Sequence, residues 1–337
     1  MGSHRRRAAT GSARGASAAL CVMSAAAAAL GAVPAAAAPA DDTRAEVDRL
    51  YAQAEKATEA YNRAGERADG LRREVRVAQD RVARQQQEIN SMRGALGSLA
   101  GAQYRSGGLD PSLALLLSDD PADYLDKAGT LARISAHQAG ALKDLQEAMR
   151  ELSQDRTEAA GKLTELEKSR RAVAAHKRTV EQKLGRARRL LNSLTAADRA
   201  AYDRASRAER AALPGPDGAV TVPGRAAAAV AAARSALGRP YVWGANGPGG
   251  FDCSGLVQWS YAQAGVAMPR TSQGQRGAGR RVPLSEARPG DVVTYRSDAS
   301  HVGMYTGDGQ VIHAPYPGAA VRYDPVDMMP GATVTRV

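Results

Sequence analysis

The sequence predicts a long antiparallel α-helical coiled-coil hairpin followed by an α+β domain. Three observations carry that fold class. Two apolar seams of equal length, each advancing in steps of three and four residues, flank a connector broken by Gly and Pro. A Pro/Gly-rich stretch then interrupts the helical pattern. Beyond it Lys disappears, and nine of the fourteen aromatics gather among short β-rich runs separated by turns.

Composition narrows the function class. Among 337 residues there are two cysteines, too few for a disulfide framework or a Cys-rich zinc site. The net charge of +11 points to an anionic partner such as nucleic acid, a membrane surface or a cell-wall polyanion. The basic residues are spread along the helical region without interleaved aromatics, which argues against nucleic acid.

Residues 1–40 read as an export signal. Arg5, Arg6, Arg7 and Arg14 precede a weakly apolar stretch from Ala16 to Val33 and the small-residue run ending Ala38-Pro39-Ala40. The alternative, a retained membrane anchor, needs about 20 strongly apolar residues, more than this run offers. Cys21 lies inside the apolar segment rather than at its end, unlike a lipidation site. Cleavage after Ala40 would remove four arginines and no acid, lowering the charge to +7, and would leave Cys253 as the single thiol of a secreted, wall-localised chain.

Residues 41–212 form the predicted hairpin. Its first seam runs from Val47 through Leu50, Ala54, Ala57, Leu71, Val75 and Ile89 to Leu99, with Gln85 filling one gap. The second runs from Leu142 through Leu152, Leu163, Val180 and Leu184 to Leu194, with Arg156, Arg170 and Lys177 at its polar positions. Each would be about 80 Å long at the helical rise. The many alanines permit close approach but bury little area. The tip at 100–141 holds Gly107-Gly108, Asp110-Pro111 and the Leu113–Leu117 run, which suits a small closing core or a docking surface. Its Ser118–Pro121 segment reads as a helix start. His137 and His176 have no ligand-like neighbours and read as solvated helix residues. Residues 213–225 are the linker.

Residues 226–337 hold the chemistry. A helix over Ala226–Leu237 leads to Tyr241-Val-Trp243-Gly244, and a second helix starts at or just before Cys253 within Asp252-Cys253-Ser254-Gly255. The positive end of that helix would lower the thiol pKa and favour thiolate. Strands are expected at Asp291–Tyr295, Ser300–Tyr305, Gln310–Ala314, Ala320–Tyr323 and Thr333–Val337, the second and third joined through Gly307-Asp308-Gly309. His301 would then begin one strand and His313 end the next, near the same end of a sheet. A cysteine, a strand histidine and a second polar residue behind it suit thiol-based acyl chemistry, although singly each residue also reads as a packed structural group.

Asp252-Cys253-Ser254-Gly255-Leu256, Ser300-His301-Val302-Gly303 and Val311-Ile312-His313-Ala314-Pro315 resemble the NlpC/P60 cysteine peptidases, as do Tyr241-Val-Trp243-Gly244 and Pro269-Arg270-Thr271-Ser272. The resemblance implies a papain-like α+β fold and cleavage of peptidoglycan stem peptides, usually between D-γ-glutamyl and diaminopimelate or Lys, without metal or cofactor. It implies Cys253 as nucleophile, His301 as general base and His313 as the orienting residue. Tyr241 would support substrate or the oxyanion, and Asp252, Ser254, Arg270 and Ser272 would line the peptide cleft. Gln273 and Gln275 are both candidates for the glutamine that often follows the Arg-Thr-Ser. The hairpin is similar to the coiled-coil arms of secreted division hydrolases in this family, which implies regulation of access through a membrane-bound division or activator complex. Two other readings stay open: a wall-associated interaction or scaffold protein, and an amidase or acyl-transfer enzyme.

Overall fold

A computed structural model describes residues 40–105, 121–211 and 224–337. The export-signal reading, including Cys21, falls outside these residues, as do residues 106–120 of the tip and 213–223 of the linker. The helices α1 (Ala40–Arg105, 66 residues) and α2 (Pro121–Ser193, 73 residues) pack along one another. Cross-helix pairs fix their direction: Arg186 meets Glu46 at 3.3 Å, Lys162 meets Glu74 at 2.8 Å and Arg81 meets Asp155 at 3.1 Å. Rising numbers on α1 face falling numbers on α2, so the hairpin is antiparallel. These pairs are largely exposed and set register more than stability.

Both helices extend into the expected tip, since isolated glycines such as Gly101, Gly129 and Gly140 cost only about 1 kcal/mol each in a helix. Helix α2 ends at Ser193, level with the end of its apolar seam and short of the expected hairpin end at 212. Thr195 starts a separate helix, α3 (Ala196–Ala211), where the Asp198 amide donates to the Thr195 hydroxyl and that hydroxyl donates to the Asp198 carboxylate. Seam burial is uneven. Near the base Val47, Leu50, Ala54 and Ala57 form a buried cluster with Val180, Leu184 and Ala187, whereas towards the tip Leu142, Met149 and Leu163 remain exposed.

The C-terminal region places α4 (Arg225–Ser235), α5 (Cys253–Gln263) and the short α6 (Ser272–Arg276) against a six-stranded antiparallel sheet. Its strands are β1 (Arg280–Val282), β2 (Val292–Tyr295), β3 (His301–Gly307), β4 (Gln310–His313), β5 (Arg322–Pro325) and β6 (Thr333–Arg336), in the order β1-β6-β2-β3-β4-β5. Alternation divides the sheet into two cores. Val292, Val302, Met304 and Ile312 pack with Leu256 and Val257 of α5 and Val230 of α4. Val293, Tyr295, Val311 and Val334 form the opposite core, against Val326, Met328 and Met329 from the β5–β6 connection. Strand β1 was not expected: Arg280-Arg281-Val282 buries only its valine and carries no alternation to read. Strand β5 runs to Pro325 rather than ending at Tyr323. Ala320 instead bridges to Pro240, and Tyr241 N–H donates to the Ala319 carbonyl, which ties the segment before β5 to the segment carrying Tyr241.

Candidate active site

Cys253 is the first residue of α5, and Asp252 is its N-cap. One Asp252 carboxylate oxygen accepts from Gly255 N–H at 2.7 Å, satisfying a backbone donor that the helix start would leave orphaned. The other accepts from Gly244 N–H at 2.9 Å, and Arg270 binds both oxygens, at 2.9 and 2.6 Å. Position 255 admits no side chain: a Cβ there would lie 2.1 Å from the Ala245 carbonyl oxygen. The Asp-Cys-Ser-Gly run is thus a helix start clamped from two sides, with the thiol held at its tip.

His301 opens β3 and His313 closes β4, as their positions in the sequence suggest. The register Met304↔Ile312 and Tyr305↔Val311 carries their side chains to one face. His301 Nε2 lies 2.7 Å from His313 Nδ1, and His313 Nε2 lies 2.6 Å from Asp324 Oδ2. Gly303 sits between the two histidines on this face, and a Cβ there would come within 3.2 Å of His313 Cβ. Both histidines are buried. Burial is the main reason the His313 pKa falls, to about 4, against the opposing pull of Asp324, so the ring is neutral near pH 7.

The base of α1 closes this site. Glu55, Glu59, Asn62 and Glu66 follow one another at helical spacing on one face. Glu59 accepts from the Ser254 hydroxyl at 2.7 Å and the Ser272 amide at 2.8 Å, with Cys253 Sγ 3.8 Å away. Glu55 receives Arg296 Nη1 at 2.7 Å and stands 3.0 Å from His301 Nδ1, an ion-pair distance that falls short of a straight hydrogen bond. Asn62 donates to Asp252 at 3.1 Å, and Glu66 accepts from Arg270 N–H at 3.1 Å. Tyr51 stacks on Tyr316 at 4.9 Å and Tyr61 meets Trp243 edge-on at 5.2 Å, so two aromatic contacts flank the acids. A cavity of about 440 Å³ remains beside His313, bordered by Tyr51, Glu55, Arg296 and Arg322.

This arrangement reverses the expected state of the thiol. The positive helix end is present, yet burial, followed by the charges of Glu59, Asp252 and Glu55, holds the Cys253 pKa well above its ordinary value. With α1 in place Cys253 is a protonated thiol. Glu59 is itself raised to about 7, first by burial and then by Asp252. For Glu55 burial acts upward, but His301 and Arg296 outweigh it and keep the group an anion.

The other expected site residues fall close by. Tyr241 is buried, and burial above all raises its phenol well above the usual value. Arg270 and Asp252 are engaged with each other. Ser254 offers its hydroxyl to the site, whereas Ser272 turns its hydroxyl to the Ala299 carbonyl at 2.5 Å and offers its amide. Both candidate glutamines bond backbone carbonyls. Gln275 donates to the Ser254 and Pro269 carbonyls, and Gln273 to the carbonyls of Asp298 and Ala299. Sequence reasoning missed Asp324, which lies one residue beyond the expected strand end. It also missed Glu55 and Glu59, whose signal was the i, i+4 spacing of acids beside an already explained apolar seam.

Comparison with known proteins converges on the C-terminal region. A model of the NlpC/P60 family matches residues 238–334. A probable endopeptidase of Mycobacterium tuberculosis is 51% identical over 112 residues, which is 33% of this chain and 28% of that protein. A probable endopeptidase of Corynebacterium glutamicum is 47% identical over 109 residues, 32% of this chain and 52% of that protein. The matched region therefore spans between about a quarter and a half of these curated relatives. The solved peptidoglycan hydrolase RipB of Mycobacterium tuberculosis aligns at 35% identity over 37% of this chain and 72% of that one, with a TM-score of 0.32.

Proposed function

Residues 238–334 are an NlpC/P60 domain, and from that premise we propose that this protein is an exported peptidoglycan endopeptidase whose hairpin governs access to a Cys-His-His site. The observation that carries the reading is the spatial order of the site. Cys253 heads a helix, His301 opens β3 with Nε2 engaged by His313, and two α1 glutamates one turn apart meet the thiol and the other imidazole nitrogen. Two unrelated structural residues would have no reason to be capped as a unit.

The chemistry follows from which atoms are free once α1 withdraws. His301 Nε2 is occupied by His313, so Nδ1 is the nitrogen that takes the Cys253 proton. Removal of the Glu55 and Glu59 charges lets the helix end favour thiolate. The thiolate attacks the scissile carbonyl carbon, and the oxygen gains charge, for which the family resemblance supplies the Cys253 N–H and the Tyr241 hydroxyl as donors. Collapse breaks the C–N bond, and the His301 imidazolium returns its proton to the leaving amine. Water, deprotonated by the same nitrogen, then hydrolyses the thioester. Family resemblance supports a stem peptide as substrate, with the D-γ-glutamyl–diaminopimelate bond as the scissile one, and relatives named as probable endopeptidases agree with peptide cleavage.

Regulation by the hairpin rests on what α1 touches. Glu59 occupies the Ser254 hydroxyl and the Ser272 amide, donors facing the cleft, while Glu55 covers the base. An activating complex at the membrane that grips the hairpin would expose them. The four arginines before position 15, followed by the apolar and small residues of 16–40, support export to the wall.

Cys253→Ala is expected to abolish release of stem-peptide fragments from purified wall, and full activity in that variant would overturn the mechanism. Mass spectrometry of the released muropeptides distinguishes the D-γ-glutamyl bond from the glycan–peptide amide, and hydrolysis from transfer.

A further inference from the structure

The two-histidine arrangement leaves one question that the family match does not answer: which nitrogen of each ring carries the proton. Asp324 answers it. Its Oδ2 lies 2.6 Å from His313 Nε2 and accepts from Arg322 Nε at 2.7 Å. The placement comes from β5. His313 pairs with Arg322 and Val311 with Asp324 across the β4–β5 ladder, so residues 313, 322, 324 and 311 share one face. Arg322 is held in turn over the Tyr316 ring, 5.6 Å from its centroid.

Resting on the thiol-peptidase reading above, we infer that Asp324 is a positioning residue that fixes His313 in its Nε2–H form and thereby presents Nδ1 of His301 to the cysteine. A carboxylate oxygen at 2.6 Å requires a donor, so the His313 proton must lie on Nε2. A neutral His313 then has only a lone pair at Nδ1. That lone pair, 2.7 Å from His301 Nε2, requires His301 to donate there. With α1 docked, His301 Nδ1 faces the Glu55 carboxylate at 3.0 Å and carries a proton there. Once α1 withdraws and that proton is lost, Nδ1 is the one nitrogen that can receive the thiol proton. The opposite order would aim the His313 Nε2 lone pair at an anionic oxygen already bound by arginine, and the two would repel. Burial acts to raise Asp324, but His313 and Arg322 outweigh it and keep the group an anion, which supports this direction. When Nδ1 is protonated during turnover, the positive charge on His301 is steadied through His313 by Asp324, without the proton leaving His301.

The test has a readout independent of activity. In the full-length chain with ¹⁵N-labelled histidine, imidazole nitrogen shifts near pH 7 are expected to show His313 protonated at Nε2 and bare at Nδ1. Asp324→Ala should give a mixture of tautomers. Asp324→Asn should keep the parent pattern, because Arg322 Nε–H draws the amide oxygen to the position of Oδ2. Turnover is measured in full-length chains that also carry Glu55→Ala and Glu59→Ala to loosen α1. There D324A should lower kcat about tenfold or more, a part of the ~10²–10⁴ that a positioned acid–base group supplies, with KM within about twofold. D324N should recover most of that loss. A parent His313 protonated at Nδ1, or a D324A chain unchanged in both tautomer and kcat, overturns the inference. Should D324A fail to fold, the parent and D324N spectra decide alone. An Nε2–H His313 in a loosened chain that digests no wall would leave this inference standing and sink the hydrolase reading instead.

Discussion

Cys253 is subject to two opposing electrostatic influences. The α5 start attracts negative charge, worth about 0.3–1 kcal/mol at a typical helix end, whereas burial and three acids oppose it, and two of those acids belong to α1. Glu59 makes the balance depend on pH. Its carboxyl has a pKa near 7 with α1 docked and an ordinary value of 4.5 when free, so docking takes up a proton between those values. The Glu59 contribution to the closed state is fully present below about 4.5 and is lost as pH rises through about 7. Glu55, held low, keeps its charge in both states across that window. Alkylation of Cys253 should therefore rise more steeply than the tenfold per pH unit of a simple thiol between pH 5 and 7. Glu59→Gln should restore the simple slope, and identical slopes in parent and variant would refute the linkage. Cys253, His301 and His313 were legible in the sequence because their chemistry is tied to short motifs with fixed spacing. The raised thiol was not, because burial is invisible there and two of the three acids that raise it, Glu55 and Glu59, lie about 195 residues away in sequence.

Helix α1 buries two faces. One is apolar and meets α2; the other is acidic and meets the domain at Glu55, Glu59 and Glu66. The apolar face was legible from its three-and-four spacing. The acidic face has the pattern of an ordinary solvated stripe, since nothing local tells an acid facing water from one facing a serine hydroxyl far along the chain. Strand β5 shows the same limit on a shorter scale. Arg322 and Asp324 alternate as a strand should, but both are charged, so no apolar pattern marks where the strand ends. The acidic face yields a direct prediction. Replacing both Glu55 and Glu59 by Ala removes three charge-assisted hydrogen bonds, from Ser254, Ser272 and Arg296, and leaves Arg296 without a carboxylate partner in the closed form. Contacts of this kind contribute about 1.5–3 kcal/mol each. Wall hydrolysis by the full-length double variant should exceed the parent roughly 10-fold or more, and equal rates would show that α1 is no barrier.

At the scale of the molecule, the division of cores decides what can be separated. The two clusters flanking the sheet draw every side chain from residues 229–334 and none from the hairpin. The cluster at the hairpin base, by contrast, borrows Trp243 and Tyr316 from the domain. Loss of the hairpin therefore exposes a docking face while leaving the domain core intact, and a chain beginning at Val222 should fold with a cooperative melt. Its activity then measures the closed population. If the full-length chain is open for only a fraction of the time, its rate is that fraction of the rate of the separated domain, and removing the hairpin raises the rate by the reciprocal. The expected order of wall hydrolysis is the domain alone highest, the Glu55→Ala/Glu59→Ala chain next and the parent lowest. The double variant falls between because it keeps the contacts of Tyr51 with Tyr316 and Tyr61 with Trp243. A folded domain no faster than the chain spanning residues 41–337 would mean that the hairpin does not restrain the site, and its glutamates would then have to be read as part of the substrate cleft.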